Sequence, residues 1–401
     1  MENIINRFLR YVSIDTQSDP NSNLHPSTKK QFDLLNVLEK DMKELGLINI
    51  KKDEHCYIYG ILKGNDNRKK SVGLISHMDT SCDASGENIK PQIIRNYDGK
   101  NIKLNSDLTM STKEFPFLPS FKGRTLITTD GTTLLGGDDK AGITEILEAI
   151  DYINKNNIPH GDIYVGFTPD EEIGEGTLFF DLDYFKPDFA YTVDGGVEGE
   201  ITYENFNAAS CLVTINGFNI HPGHAKGHMK NSISIANEFD SLLPKKQRPE
   251  YTENYEGFNH LNNIEGNVEK TTMHYIIRNH DRVLFKKQKE EFLKICDYIN
   301  KKYGSNTCVL DIKDSYYNMY DILKDKKEII DLGIKSIKEA NLEVSITPIR
   351  GGTDGATLTY KGLPCPNLGT GGFNCHGKFE FVTVEGMEKV VQILINIVKN
   401  A

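Results

Sequence analysis

The sequence predicts an α/β protein whose main domain is interrupted by a smaller α+β module, and three observations carry that expectation. At 401 residues the chain is longer than one ordinary domain. Through its first half, apolar runs of period two alternate with stretches of helical period, the pattern of a largely parallel sheet covered by helices. After about residue 207 the pattern changes, and from about 320 it resumes. The expected boundaries are 1–207 and 320–401 for the main domain and 208–319 for the module.

Ile4, Ile5, Phe8, Leu9 and Val12 recur at helical spacing across 3–12. Ser27 or Thr28 is the expected cap of a second helix carrying Leu35, Leu38, Met42 and Leu45, with Gly46 just beyond its end. Residues 56–62 and 71–76 read as strands, the second running into His77. The turn-rich stretch 80–125 suits loops or a small hairpin. A strand near 125–129 precedes 136–142, which lead into a helix bearing Ile143, Ile146, Leu147, Ile150 and Ile153. Ile163, Val165 and Phe167 alternate until Pro169 stops the ladder. A short apolar helix near 177–185 and a strand at 189–193 follow. In the module, 210–218, 271–278 and 307–314 read as strands and 231–243 and 283–303 as helices, a β-α-β-β-α-β-like order. The chain then returns to a helix at 326–340, a strand at 343–349, a helix near 355–361 and a last helix at 383–399.

Composition excludes several functions. A net charge of −10 with no basic stripe argues against nucleic acid or an anionic membrane as partner. No apolar run approaches the roughly 20 residues that span a bilayer, and the first residues lack a signal-peptide pattern. Seven cysteines, odd in number and never in a Cys-x-x-Cys pair, suit reduced structural thiols and not a disulfide framework or a thiolate zinc site. A soluble, cytoplasmic protein is expected.

Histidines and acids collect where apolar runs end: Ser-His-Met-Asp at 76–79, Gly-Gly-Asp-Asp at 136–139, Asp170-Glu171-Glu172, Asp194 before two glycines, and His376 in Asn-Cys-His-Gly. Alone, the acidic triplet at 170–172 reads as a solvated turn. Repetition at several strand ends points instead to a cation. Residues i and i+2 of a strand face the same way, so His77 and Asp79 can project together into a strand-end crevice, where open α/β folds bind ligands. Two histidines with several carboxylates suit paired zinc, manganese or cobalt ions. No His-Glu-x-x-His occurs, so a single-zinc helix site is not the design.

These residues sit within longer strings: SHMDTS, TLLGGDDKAGI, HGDIYVGFTPDEEIGEG, AYTVDGG, YENFNAAS, HPGHAKG, MHYIIR, DSYYNMY, PIRGGTDGA, GLPCPNLGTGG and FVTVEGMEK. In order and spacing, from residue 4 to about 395, the chain resembles the peptidase T family. That is the tripeptide aminopeptidase branch of the two-zinc metallopeptidases that also include aminoacylases and carboxypeptidase G-type enzymes. The resemblance implies a zinc-peptidase-like α/β catalytic domain with an inserted ferredoxin-like lid, and two zinc ions per subunit, with cobalt or manganese as substitutes. It implies His77, Asp138, Glu172, Asp194 and His376 as metal ligands, with Asp138 bridging. His77 and Asp194 would complete one ion's set, and Glu172 and His376 the other. Asp79 would orient His77, and Glu171 would take the proton of a metal-activated water and return it to the leaving amine. His221 would stabilise the oxyanion from the module, which would close over the peptide about a hinge. Arg350 is the candidate for the substrate's C-terminal carboxylate, with a structural ion pair to nearby Asp354 as the alternative. Arg278 is a further substrate-binding candidate.

Asp139 reads as a helix N-cap or N-terminal charge. His224, His228 and His274 read as solvated or packing residues, and His25, His55 and His160 as loop residues. Two departures from the family pattern, Gly137 where Ala is common and His224 where a small polar residue is expected, touch no proposed ligand. The implied substrate is a small peptide, and the chain is expected as monomer or homodimer. A two-metal dipeptidase or N-acyl-amino-acid amidohydrolase, and a metal-stabilised peptide-binding protein without turnover, remain open at this point.

Overall fold

The computed structural model describes residues 2–401. They form two compact units: the chain up to Tyr203 with Asp321–Thr347 and Thr353–Ala401, and Glu204–Tyr320 with Pro348–Gly352.

The first unit is built on a seven-stranded sheet. Its order is Ile48–Lys52, Ile58–Leu62, Ile163–Thr168, Val72–His77, Phe189–Gly195, Asn367–Gly369 and Ile201–Thr202. The four central strands are parallel and the outer ones antiparallel. Val72–His77 is buried at every position, as a strand covered on both faces must be. The helix Gly137–Lys155 buries Ile143, Ile146, Leu147, Ile150 and Ile153 in the main core, which Val390, Ile393 and Leu394 of the last helix, Val384–Asn400, also enter. Gly46, at φ 84°, ends the helix Gln31–Glu44; its N–H and that of Leu47 return to Lys43 O and Met42 O.

Several local expectations change. The second helix begins at Gln31 without a side-chain cap. Ser27 Oγ instead donates to Asp170, and Thr28 Oγ1 to Gln17 O. The strand Leu126–Thr128 joins no part of the main sheet; it lies in a second sheet between Gln92–Ile94 and Phe381–Thr383, with Gly372–Phe373 on the far side of the latter. Residues 177–185 form turns and not a helix, because the Asp181 carboxylate accepts the N–H groups of Asp183 and Tyr184 while Phe180 and Phe185 are buried. The strand expected at 343–349 is reduced to two isolated bridges, at Ser345 and Ile349 on either side of Pro348, which has no N–H to give a ladder.

The second unit runs strand Asn207–Asn216, helix Ser232–Leu242, strands Phe258–Gly266 and Lys270–Asn279, helix Arg282–Tyr303 and strand Cys308–Tyr316. All pairings are antiparallel, and in chain order the sheet reads second, third, first, fourth strand, the ferredoxin-like arrangement. Val213, Ile235, Phe239, Met273, Tyr275 and Phe292 fill the core between sheet and helices. Phe258–Gly266 is absent from the sequence reading because it is an edge strand whose last five residues are exposed, so it carries little alternation.

Candidate active site

The carboxyl ends of three neighbouring parallel strands open on one crevice. His77 ends Val72–His77, the 3-10 turn Glu171–Ile173 follows Ile163–Thr168, and Asp194 lies at the end of Phe189–Gly195. Asp138 stands at the start of Gly137–Lys155, where Asp138 and Asp139 are non-helical and joined by a cis peptide. His376 comes from the turn after Gly372–Phe373, in the left-handed region at φ 65°.

Two triads form there, His77–Asp138–Asp194 and Asp138–Glu172–His376, sharing Asp138. His77 Nε2 lies 3.0 Å from Asp138 Oδ1 and 3.5 Å from Asp194 Oδ1. His376 Nε2 lies 3.2 Å from Asp138 Oδ2 and 3.0 Å from Glu172 Oε2. Donors on a tetrahedral ion with bonds of about 2.0 Å stand about 3.3 Å apart, so these spacings fit two divalent ions with one carboxylate common to both. Glu172 Oε1 is buried with no hydrogen-bond partner, and among the described residues no lysine or arginine pairs with Asp138, Glu171, Glu172 or Asp194.

Electrostatics agree with that chemistry. Burial pushes the Glu172 carboxyl up to about 7 against its hydrogen bond with His376. Burial and the charge of Asp194 raise Glu171 well above the carboxylate range. Burial alone would raise Asp138, but hydrogen bonds from His376 and His77 hold it well below. Like charges this close favour cation binding.

The supporting residues hold backbone amides. Asp79 Oδ1 and Oδ2 accept the N–H groups of Glu171 at 2.9 Å and Glu172 at 3.2 Å. His77 Nδ1 lies 3.0 Å from Asp79 O and 3.3 Å from Asp79 Oδ1, so Asp79 ties the histidine to the acidic turn. Asp139 is buried. It accepts from Gly142 N at 3.2 Å, capping the helix, and also from His77 N at 3.2 Å and Ser76 Oγ. Glu380, buried 245 residues from its first partner, accepts from the amides of Leu135 at 2.6 Å, Gly136 at 2.9 Å and Asp138 at 3.0 Å. The sequence reading missed Glu380; its only signal was an acid four residues after His376.

His221, Arg278 and Arg350 lie in the second unit. His221 is exposed; its Nδ1 accepts from Gly223 N at 3.2 Å, and its ring centroid is 5.6 Å from that of His224. Arg278 Nη1 donates to Ala209 O at 3.1 Å and Ile277 O at 3.0 Å, and the guanidinium lies over Tyr316. Arg350 lies over Phe206 and Phe258 and donates to Asn254 O at 2.7 Å, Glu256 O at 2.9 Å and Thr252 Oγ1 at 3.0 Å. It makes no ion pair with Asp354, which accepts from Thr168 Oγ1 at 2.9 Å. Its Nε–H donates to none of the described residues.

Comparison with known proteins extends these observations. Residues 127–400 match the model of peptidase family M20/M25/M40. Peptidase T of Clostridium acetobutylicum is 51% identical over 403 residues, covering 100% of this chain and 99% of its own. The crystal structure of aminopeptidase PepT from Bacillus cereus superposes with a TM-score of 0.80 at 21% identity, covering 99% of this chain and 98% of that one. The YXEP protein of Bacillus subtilis, described as a dinuclear metal binding peptidase from the M20 family, shares the fold with a TM-score of 0.66 at 12% identity, over 100% and 97% of the two chains. With the family model matching well over half its length and a relative matching all of it, this chain belongs to the M20/M25/M40 peptidases, in the Peptidase T branch.

Proposed function

We propose that this chain is a metal-dependent aminopeptidase that releases the N-terminal residue of tripeptides, with His77, Asp138, Glu172, Asp194 and His376 as ligands of two zinc ions. Cobalt or manganese would suit the same donors. The observation that carries the reading is the pair of triads meeting at Asp138, with a further carboxylate, Glu171, beside the ligand Glu172. Metal ions bound there supply a water acidified toward neutrality and a polarised scissile carbonyl. Glu171 receives the water's proton and delivers it to the departing amine. Asp79 orients His77 and, through the two amides it accepts, the turn bearing base and ligand.

Arg350 and Arg278 bind the peptide's C-terminal carboxylate in this reading, and His221 stabilises the oxyanion. The enzyme acts on small peptides in the cytoplasm. Among the described residues no helix is long and apolar enough to cross a membrane.

Glu171→Gln tests the reading. Removing a general base costs about 10²–10⁴-fold in rate, while metal content should stay near two per chain. Loss of metal together with activity would show that Glu171 is a ligand. Cleavage of an N-acetylated peptide in preference to the free-amine tripeptide would move the assignment to an acylase. No turnover of either by the two-metal protein would leave a peptide-binding role.

A further inference from the structure

The acid that opens the triplet at 170–172 takes no part in the two triads, and its surroundings give it a different task. Asp170 is fully buried and left-handed at φ 54° and ψ 27°, a conformation uncommon for a residue with a side chain, immediately before Glu171. Its carboxylate accepts from Ser27 N at 2.6 Å, Ser27 Oγ at 2.5 Å and Gln31 Nε2 at 2.6 Å. Its own N–H donates to Gln31 Oε1 at 3.3 Å, so the Gln31 amide grips both backbone and side chain of one residue. Gln31 is itself fully buried at the start of its helix. His25 Nδ1, at 3.3 Å, adds a further polar neighbour on the Oδ2 side. On the far side of Asp170, Asp79 holds the amides of Glu171 and Glu172.

We propose that Asp170, clamped by Ser27 and Gln31, is the positioning residue for the Glu171–Glu172 turn: it sets the direction in which base and ligand leave strand Ile163–Thr168. The inference rests on the aminopeptidase reading above. No hydrogen bond of Ser27 or Gln31 reaches a residue of either triad, yet the two determine how the turn is aimed. A buried carboxylate with three donors and a left-handed backbone has one arrangement, and a turn with one arrangement holds two adjacent carboxylates on two different tasks.

The test compares wild type with Asp170→Asn, Gln31→Met and Ser27→Ala in the full chain, with zinc as the metal. Steady-state kinetics on a tripeptide are read beside zinc affinity by chelator competition. Asp170→Asn turns an amide NH2 toward groups that are themselves donors. We expect kcat to fall about 10–100-fold, KM to change less than about threefold, and zinc affinity to weaken about tenfold or more. Gln31→Met and Ser27→Ala, which each remove a donor to Asp170, should show the same pattern in smaller degree. If Asp170→Asn does not fold, those two variants decide. Folded variants that melt earlier but keep wild-type kcat and zinc affinity would overturn the proposal, because a merely structural clamp predicts that result. Absence of tripeptide cleavage by the wild type would instead remove the functional reading, and zinc affinity would still report on the clamp.

Discussion

Gly142 offers a sharp test of how the elements that carry the proposed metal ligands are held together. It sits in the first full turn of Gly137–Lys155, against the end of strand Phe189–Gly195. A Cβ at this position would lie 2.0 Å from Val193 O and 2.5 Å from Asp139 Oδ1, where ordinary contact begins at 3.4 Å. In Gly142→Ala the helix and strand must therefore part by roughly 1.4 Å, or the Asp139 cap must give way. Helix propensity favours Ala over Gly by about 1 kcal/mol. Overpacking costs about 1–3 kcal/mol, and loss of a cap about 1 kcal/mol more. The clash wins, leaving a net loss of about 1–3 kcal/mol, which lowers Tm by roughly 2–5 °C in a unit of this size. Asp138 rides on the helix start and Asp194 follows Val193, so the same displacement pulls apart His77–Asp138–Asp194. Misplacement by about 1 Å costs on the order of 10²-fold in activity. Calorimetry and zinc competition on the purified variant check both effects. A Gly142→Ala protein that melts at or above wild type and binds zinc normally would refute the packing argument.

The other predictions address separate parts of the site. Glu380→Gln places an amide among three backbone donors, so a loss of about 1–3 kcal/mol and weaker zinc binding are expected; unchanged zinc affinity would mean these amides do not aim Asp138. Arg350→Ala should raise KM for a tripeptide by about 10–100-fold, from loss of a charge-assisted hydrogen bond of about 1.5–3 kcal/mol, and leave its C-terminal amide unaffected. An equal effect on both substrates would assign Arg350 to structure. A chelator should abolish turnover, and zinc, cobalt or manganese should restore it; turnover that persists once elemental analysis shows the metal removed would contradict the site. For pH, burial lowers His280 from 6.5 to about 4 in the fold. Above pH 6.5 both states are neutral there. Between 6.5 and 4 the unfolded chain takes up a proton that the folded one refuses, so stability falls as pH falls. His280→Phe should flatten denaturant stability over that window by about 1–3 kcal/mol; parallel curves would show that His280 does not contribute.

How legible the molecule was depends on what kind of signal each part carries. The central strands could be read because Ile163, Val165 and Phe167 alternate and because Val72, Leu74 and Ile75 form an apolar run that ends at Ser76 and His77. His77 and Asp79 stood out because a strand aims i and i+2 together. The grouping of all five ligand candidates came from the family resemblance, since no local rule joins His376 to Asp138 across 238 residues. The edge strand Phe258–Gly266 and the turns at 177–185 were misread for opposite reasons, too little apolar pattern in one and apolar anchors without a helix in the other. Ser27 looked like a cap, and its hydroxyl instead serves Asp170, which only tertiary structure brings near.

The amide-holding acids share a physical role, and for Glu380, which was missed, and Asp139, which was read only as a cap, that role explains why they were hard to read. Asp139 accepts from the amide of His77, Glu380 from that of Asp138, and Asp79 from those of Glu171 and Glu172. Each of these carboxylates holds the backbone of a proposed ligand or of the proposed base, and Asp170 does so one step removed by fixing its own place in the chain. A backbone N–H is present at every residue but proline, so such a partner leaves no trace in sequence. The arrangement also bears on charge. Acids satisfied by amides bring negative potential to the crevice without competing for the ions through a lysine or arginine, and backbone donors cannot swing away as a long cationic side chain can. An acid-rich site of this kind should depend on its amide-holding carboxylates for where the ligands point, and on its ligands for how much metal stays. Asparagine or glutamine at Asp79, Asp139 or Glu380 should therefore lower kcat more than it lowers metal content, whereas the same change at Asp138 should empty both positions together. Equal losses of metal across the two groups would mean that the division between holders and ligands is wrong.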